Sequence, residues 1–373
     1  MVRPIRIGTR KSKLAIIQAT KVRHALENAG LQCVLIPISS YGDRSLGGDL
    51  SAKVGQFVDG IDRLLVSGEA DITVHSAKDV PVDSKSGIRA LAYLARGATS
   101  DFVLSKEVNG WEKITKVLQN KSSKRLMDVL EDLPMKSKVG TVSGRRQSFL
   151  LSSRPDIIPI SVRGHIETRL DGLLDGRVSF LILAEIGLKR LFESNEISKR
   201  HLGLDAIRIR EEDWPTAPGQ GAIAVHCRDE DSSLTEKIRT ILNHEPTFNE
   251  VERERGVLKR LGGGCLYPAG VLSMGSKITT AVSPSDWRSK YARGETFKIA
   301  RYNGDFESYI FEDKSLDKMS ENIGRNKPTL ITTLTSDRIS TQLRKKGIST
   351  IDKPVVKLSP LAEAWPRDFL SVE

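Results

Sequence analysis

Cysteine is scarce in this chain: there are three in 373 residues, Cys33, Cys227 and Cys265, an odd number with wide gaps between them. Neighbours so far apart build neither a disulfide framework nor a paired-cysteine metal site. Histidine is as thin, at six, with no His-x-x-x-His spacing, so no metal site is expected. Aromatic residues are 5%, too few for the base-stacking surface of a single-strand nucleic-acid binder. No apolar run approaches the roughly 18 residues of a membrane span. The opening "MVRPIRIGTRKS" lacks the apolar core of a signal peptide, and no Gly-x-x-x-x-Gly-Lys-[Ser/Thr] loop offers a triphosphate cradle. A cytoplasmic protein without membrane contact is expected.

What is present is an ordinary globular composition, 39% hydrophobic and 28% charged, in a chain long enough for two to three domains. Lys and Arg number 58 against 47 Asp and Glu, a net charge of +11, which calls for an anionic partner. Many arginines stand singly where a strand gives way to a helix. That distribution favours a multiply anionic small molecule over nucleic acid.

The hydrophobic pattern predicts an α/β fold. "IRIGT" (5–9) reads as a strand, and from Ser12 the residues Ala15, Ala19, Val22, Leu26 and Ala29 recur at helical spacing up to Gly30. "CVLIPIS", "FVDGIDRLLVSG" and "ADITVHS" continue as strand, helix and strand. A second series, "DFVLS", "SKVGTVSG", "IIPISVRG", "SFLILAEIG" and "GAIAVHC", reads as strands separated by helices near 145–153 and 165–175. From 232 onward two helices lead to "LGGGCLYPAG", followed by the alternating strands of "GVLSMGSKITTAVSP" and "TFKIARY". The polar, Lys-rich segment 105–137 reads as an insertion packed on the outside of the second lobe.

Three stretches, "GTRKS" (8–12), "GTVSGRRQ" (140–147) and "SVRGHIETR" (161–169), each set glycine, a hydroxyl residue and arginine at a strand-to-helix junction. Free backbone amides and guanidinium groups at such junctions make sockets for carboxylate or phosphate. "ADITVHSAKDVPV" (70–82) carries a buried-type strand into Ser76, Lys78 and Asp79, at the edge where open α/β sheets hold ligands. Cys265 follows three glycines, whose small size and positive-φ freedom leave room for something large beside the sulfur. From these residues alone two readings stand: a small thiol buried in a turn, and a reachable thiol that reacts.

Taken together, "RIGTRKSKLA", "AKVG", "ADITVHSAKDVPV", "GTVSGRRQ", "PDIIPISVRGHIETRL", "LILAEIGLKRL", "APGQGAIAV" and "LGGGCLYPAG", in this order, resemble the porphobilinogen deaminase (hydroxymethylbilane synthase) family over residues 3–324. The resemblance implies head-to-tail condensation of four porphobilinogen molecules with loss of ammonia, in tetrapyrrole biosynthesis. It implies a dipyrromethane cofactor attached through a thioether to Cys265, the glycines, Gly264 included, giving a pyrrole room. Lys78 and Asp79 match the catalytic pair. Thr141, Ser143, Arg145, Arg146 and Arg169 join them as cofactor binders, and Arg10, Ser12, Gln18, Ser76, Arg163, Arg190 and Gln220 as substrate binders. The implied fold has two lobes like those of periplasmic binding proteins: residues 1–97 with 217–230, and 98–216. A small α+β domain (231–324) and an extension (325–373) complete the chain.

The match has departures. After "AKVG" the chain keeps Lys53 and Phe57 but lacks a second lysine, Val142 stands where serine is common, and His165 where asparagine is usual. The tail reads strand, helix to Gly347, strand, and distantly resembles the start of uroporphyrinogen-III synthase, so hand-over of product to that enzyme is one expectation. A monomer is the other. The competing reading is a non-catalytic binder of polycarboxylates, which would not need Cys265. The intact mass of protein from porphobilinogen-making cells is therefore expected to exceed the sequence mass by one dipyrromethane. Cys265→Ala should remove that increment and lower the melting temperature, since a ligand bound only by the native state stabilises it; an unmodified wild-type mass counts against the enzyme.

Overall fold

The computed structural model describes residues 3–39, 56–83, 86–229, 233–262, 267–312, 330–332 and 350–352. Along the chain run β1 (Ile5–Arg10), α1 (Lys13–Asn28), β2 (Cys33–Ile38), α2 (Gln56–Val66), β3 (Ile72–Ser76) and β4 (Ile88–Tyr93). Next come β5 (Asp101–Ser105), β6 (Glu112–Lys113), α3 (Ile114–Gln119), α4 (Leu126–Glu131), β7 (Lys138–Gly140), α5 (Gly144–Ser153), β8 (Ile158–Ile160), α6 (Ile166–Leu174), β9 (Phe180–Ala184), α7 (Glu185–Glu193), α8 (Lys199–Leu202) and β10 (Asp205–Arg208). After β11 (Ile223–Arg228) come α9 (Ser233–Leu242), α10 (Glu245–Arg260), β12 (Ala269–Met274), β13 (Lys277–Val282), α11 (Trp287–Ala292) and β14 (Ala300–Asp305).

The fold is α/β, as expected. Its first sheet has the order β2-β1-β3-β11-β4 and its second β6-β10-β5-β9-β7-β8. In each, three parallel neighbours (β2-β1-β3 and β8-β7-β9) continue into antiparallel ones. The carboxyl ends of a parallel set share one edge, so Arg10, Ser76 and the residues just after β3, β7 and β8 come out where an open sheet binds ligands. The Ser12 hydroxyl accepts the Ala15 amide and starts α1, whose Ala19, Val22 and Leu26 are buried. Period and cap thus agree.

Local differences from the sequence reading have physical causes. "GAIAVHC" is β11, which returns to the first sheet between β3 and β4, so it does not belong to the series it succeeds in sequence. In "SFLILAEIG" the strand ends at Ala184 because Glu185 already opens α7. The segment 105–137 is no outer appendage: Trp111, Leu126, Val129 and Leu130 pack into one hydrophobic cluster of the second sheet, and Ile114, Val117 and Leu118 into the other. The last strand of the third sheet, β12-β13-β14, lies at 300–305, later than "TFKIARY" predicts.

The chain crosses between the first two sheets twice, at residues 94–100 and 209–222. The crossings lie side by side: the Gly97 amide donates to Gly221 O (3.1 Å) and the Leu94 amide to Ile223 O (3.1 Å). Glu254 of α10 clasps both. Its carboxylate, 0% exposed, accepts Arg96 Nη1 at 2.8 Å and Nη2 at 3.0 Å, the Gly219 amide at 2.7 Å and the Ser273 amide at 2.7 Å. The chain divides into two compact units, residues 1–305 and 306–373. In the second, α12 (Phe306–Glu312) precedes a parallel pair, β15 (Leu330–Thr332) with β16 (Thr350–Asp352), the two strands expected of the tail. Removing one member of the buried Arg96–Glu254 pair strands the other, so Arg96→Ala is expected to cost about 3–5 kcal/mol. Urea unfolding should show that as a lower midpoint at an unchanged slope.

Candidate active site

Three junctions build the site, each from the end of a strand. From the first sheet, Arg10, Ser12, Gln18, Ser76 and Asp79 line one pocket together with Leu14, Ala15, Val58, Val74 and His75. The Gln18 amide donates to the Ser76 hydroxyl at 2.9 Å, locking α1 to the end of β3. β3 then runs straight into a single 3-10 turn, Ala77–Asp79. Asp79 is exposed, and among the described residues its side chain accepts no hydrogen bond. Lys78 is only partly covered, and its ammonium donates to Gln220 Oε1 at 3.2 Å. Burial pushes its pKa down from the ordinary 10.5 to about 8, opposed by Asp79 and helped by Arg146.

The second junction is "GTVSGRRQ". Ser143 caps α5 by accepting the Arg146 amide at 3.5 Å, and the Thr141 hydroxyl accepts the Ser143 amide at 3.3 Å. The structure places Arg145 and Arg146 on the fully buried Asp101, a partner the sequence reading did not give them. Asp101 Oδ2 accepts Arg145 Nη2 at 2.7 Å, Arg146 Nε at 3.0 Å and Trp214 Nε1 at 2.9 Å; Oδ1 accepts Arg146 Nη2 at 2.6 Å and Gln220 Nε2 at 2.9 Å. Burial opposes ionisation of Asp101, but the two guanidinium groups outweigh it and hold the carboxyl far below its usual range. Gln220 therefore links Lys78 to Asp101, one group from each sheet.

The third junction supplies Arg163 and Arg169, and α7, after β9, supplies Arg190. Arg163 is exposed. Arg169 donates Nε to Gly164 O at 2.9 Å, and Arg190, buried, donates Nη2 to Gly221 O at 2.8 Å. Burial lowers both to about 10, Arg146 adding to the effect at Arg169 and Asp79 opposing it. Neither pairs with a carboxylate among the described residues. The crossing segment closes in behind: Gly219 and Gly221 both have positive φ, and a Cβ on Gly221 would stand 2.7 Å from Gly97 O. Gly264, Cys265 and Lys53 lie outside the described residues, as does the side chain of Phe57. Cys227 is buried and Cys33 half-buried, its thiol pushed up to about 11 by burial, in keeping with structural roles.

Asp101 and Trp214 escaped the sequence reading. The one signal was a carboxylate heading the otherwise apolar strand "DFVLS".

Such a site, one uncommitted carboxylate among buried cations at the meeting edges of two α/β sheets, defines an enzyme class that handles polyanionic small molecules. The family description "Porphobilinogen deaminase, dipyromethane cofactor binding domain" matches residues 5–236. Porphobilinogen deaminases of Xanthomonas oryzae pv. oryzae (strain PXO99A) and Xanthomonas campestris pv. campestris (strain B100) are each 36% identical over 273 residues, 72% of this chain and 81% of theirs. The chain belongs to the porphobilinogen deaminase family. It is a transferase of porphyrin biosynthesis, with the hydroxymethylbilane synthase reaction and a dipyrromethane-binding domain. Similar solved structures include an ancestral arginine-binding protein bound to arginine (16% identity, TM-score 0.35, 70% of this chain and 100% of that one) and a periplasmic substrate-binding protein from Coxiella burnetii (12%, TM-score 0.36, 67% and 96%).

Because ligand carboxylates beside Lys78 would raise its pKa again, binding a polycarboxylate is expected to take up protons between about pH 8 and the ordinary 10.5. In the same window the unfolded chain holds more protons than the ligand-free fold, so that fold gains stability as pH rises. Calorimetry in buffers of different ionisation enthalpy measures the uptake; none at pH 8.5 would leave Lys78 outside the binding site.

Proposed function

We propose that this chain extends a dipyrromethane held covalently by Cys265, adding four porphobilinogen units in turn at Asp79 and releasing hydroxymethylbilane by hydrolysis. One observation carries the reading: Lys78, Arg169 and Arg190 are desolvated cations whose pKa burial lowers more than nearby carboxylates raise it, none of them ion-paired among the described residues, and the exposed Asp79 acts on the first two. An uncompensated buried cation is costly, and a ligand rich in carboxylates removes the cost. The residues present therefore fit the cofactor. Thr141, Ser143, Arg145, Arg146 and Arg169 would hold it from the second sheet, Lys78 and Asp79 from the first, with Gly264 beside the sulfur. When bound, it supplies the primer to which substrate is joined.

Arg10, Ser12, Gln18 and Ser76 share their pocket with Asp79, which supports them as the incoming substrate's seat. Arg163, Arg190 and Gln220 complete that set. Each porphobilinogen brings an acetate and a propionate, so negative charge mounts with every addition. Guanidinium groups suit that load through permanent charge and bidentate geometry. Asp79, with no hydrogen bond among the described residues, is available to face the positive charge that develops on the substrate as ammonia departs. It then takes the proton that the new carbon–carbon bond displaces.

The two sheets are read as lobes 1–97 with 217–230 and 98–216, trailed by a cofactor-bearing domain from 231 and a tail. Free thiols at Cys33 and Cys227 support a cytoplasmic setting. The exposed large apolar residues, such as Val66, Met135 and Met274, are few and spread along the chain, which supports a monomer. The parallel pair β15–β16 supports the two strands read in the tail, whose helix up to Gly347 lies outside the described residues; hand-over to uroporphyrinogen-III synthase rests on the tail's distant resemblance to that enzyme.

Asp79→Asn separates binding from chemistry. It should keep its cofactor and substrate affinity while ammonia release falls by about 10²–10⁴. Near-normal turnover would remove Asp79 from the reaction, and wild-type protein that binds porphobilinogen without releasing ammonia would restore the binding-protein reading.

A further inference from the structure

Beside the pocket, whose wall His75 joins, the face of the first sheet covered by α2 holds a second polar cluster to which the proposed reaction assigns no role. Thr73 and His75 are two apart on β3 and so share a face, and the β3–β11 register sets His226 opposite Thr73. Asp62 of α2 reaches down onto all three. Its Oδ1 accepts the Thr73 hydroxyl at 2.6 Å and His75 Nε2 at 2.7 Å, and its Oδ2 is 3.1 Å from His226 Nδ1. All four residues are at most 5% exposed. The two imidazole rings stand 4.8 Å apart.

The protonation pattern is dictated by the acceptor. Burial works against an ionised Asp62, but hydrogen bonds from His226 and His75 outweigh it and hold the carboxyl well below its usual range. An ionised carboxylate only accepts, so His75 carries its proton on Nε2 and His226 on Nδ1. Burial also pushes the His226 pKa down, which disfavours the doubly protonated ring. Aspartate with two histidines is a familiar metal donor set as well. Here the ring nitrogens that would ligate already donate to the carboxylate, so hydrogen bonding accounts for the cluster without an ion.

The consequence lies at the end of β3. Asp79 accepts no hydrogen bond among the described residues, so its position is inherited from the backbone that carries it. That backbone is fixed three and four residues earlier, by Gln18 on Ser76 and by Asp62 on His75. Asp62 also anchors α2, whose Val58 lines the pocket with His75 and Asp79.

We propose that Asp62 is a positioning residue for this reaction: by drawing Thr73, His75 and His226 onto one carboxylate, it sets the height of the β3 end and of α2, and hence where Asp79 meets substrate. The proposal rests on Asp79 as the reacting carboxylate. A displacement of 1 Å at a reacting group costs up to about 10²-fold.

The test compares His75→Leu, which removes the donor, with His75→Gln, which offers an amide N–H near the place of Nε2. Both are measured as cofactor-loaded protein, checked by intact mass, at a temperature well below either melting point. His75→Leu is expected to lower kcat at least about tenfold with KM within about twofold, and His75→Gln to restore kcat to within about threefold, given the steepness of misplacement. Equal kcat in wild type and His75→Leu overturns the proposal, as does an equal loss in both variants, which would assign chemistry to the imidazole itself. Should His75→Leu fail to fold, wild-type two-bond ¹H–¹⁵N spectra decide: Nε2–H on His75 and Nδ1–H on His226 are required, and the opposite tautomers or a stoichiometric metal ion in the purified protein overturn it. An inactive wild type would instead strike at the proposed function and leave the tautomer result standing.

Discussion

Two guanidinium groups can sit in the interior of this protein because one carboxylate, Asp101, holds them there. Five donors converge on it from α5, Trp214 and Gln220. Arg145 also lies against the faces of Phe149 and Trp214, at 5.7 and 5.8 Å, so its flat cation is packed as well as paired. Two positive charges on one negative charge leave a surplus. That surplus, added to Lys78, Arg169 and Arg190, makes the floor of the cleft electropositive before any ligand arrives. The same two guanidinium groups hold the Asp101 carboxyl ionised, well below its usual range.

Gln220 extends this constraint to the other sheet. Its amide nitrogen touches Asp101 and Thr99 O while its oxygen receives Lys78, so the charge state on one side of the cleft is felt on the other. Gly219 and Gly221 bring the crossing backbone close enough for this to happen. The Glu254 clasp ties the same segment to α10, so that helix and the cleft share one fixed point.

Much of this was legible in the sequence, for identifiable reasons. Strands such as "DFVLS" and "ADITVHS" are short, apolar and bounded, and α1 announces itself through Ser12 and its buried stripe. Residues at strand ends were legible too, because glycine, hydroxyl and arginine together have few other uses. What stayed hidden were partnerships made across long stretches of chain. Asp101 reads as a strand's first residue until Trp214 and Gln220 return to it, and Asp62 reads as one charge on an amphipathic helix until His226 arrives from β11. The placement of β11 was hidden from the hydrophobic pattern alone, which says strand but not which sheet, whereas the family resemblance already assigned 217–230 to the first lobe. In the 105–137 segment, abundant lysine masked a helical spacing of Ile114, Val117 and Leu118 that faces inward.

The position of β11 also bears on how the molecule comes into being. All six strands of the second sheet lie between Asp101 and Arg208, whereas the first sheet needs Ile223–Arg228 to fill the gap between β3 and β4. A chain emerging from the ribosome therefore presents the later sheet complete while the earlier one is still open, with the flanks of β3 and β4 unpaired. Order of synthesis and order of completion are inverted. During that interval the turn bearing Lys78 and Asp79 has no β11 beside it, so this end of the first sheet is among the last parts of the cleft to take shape.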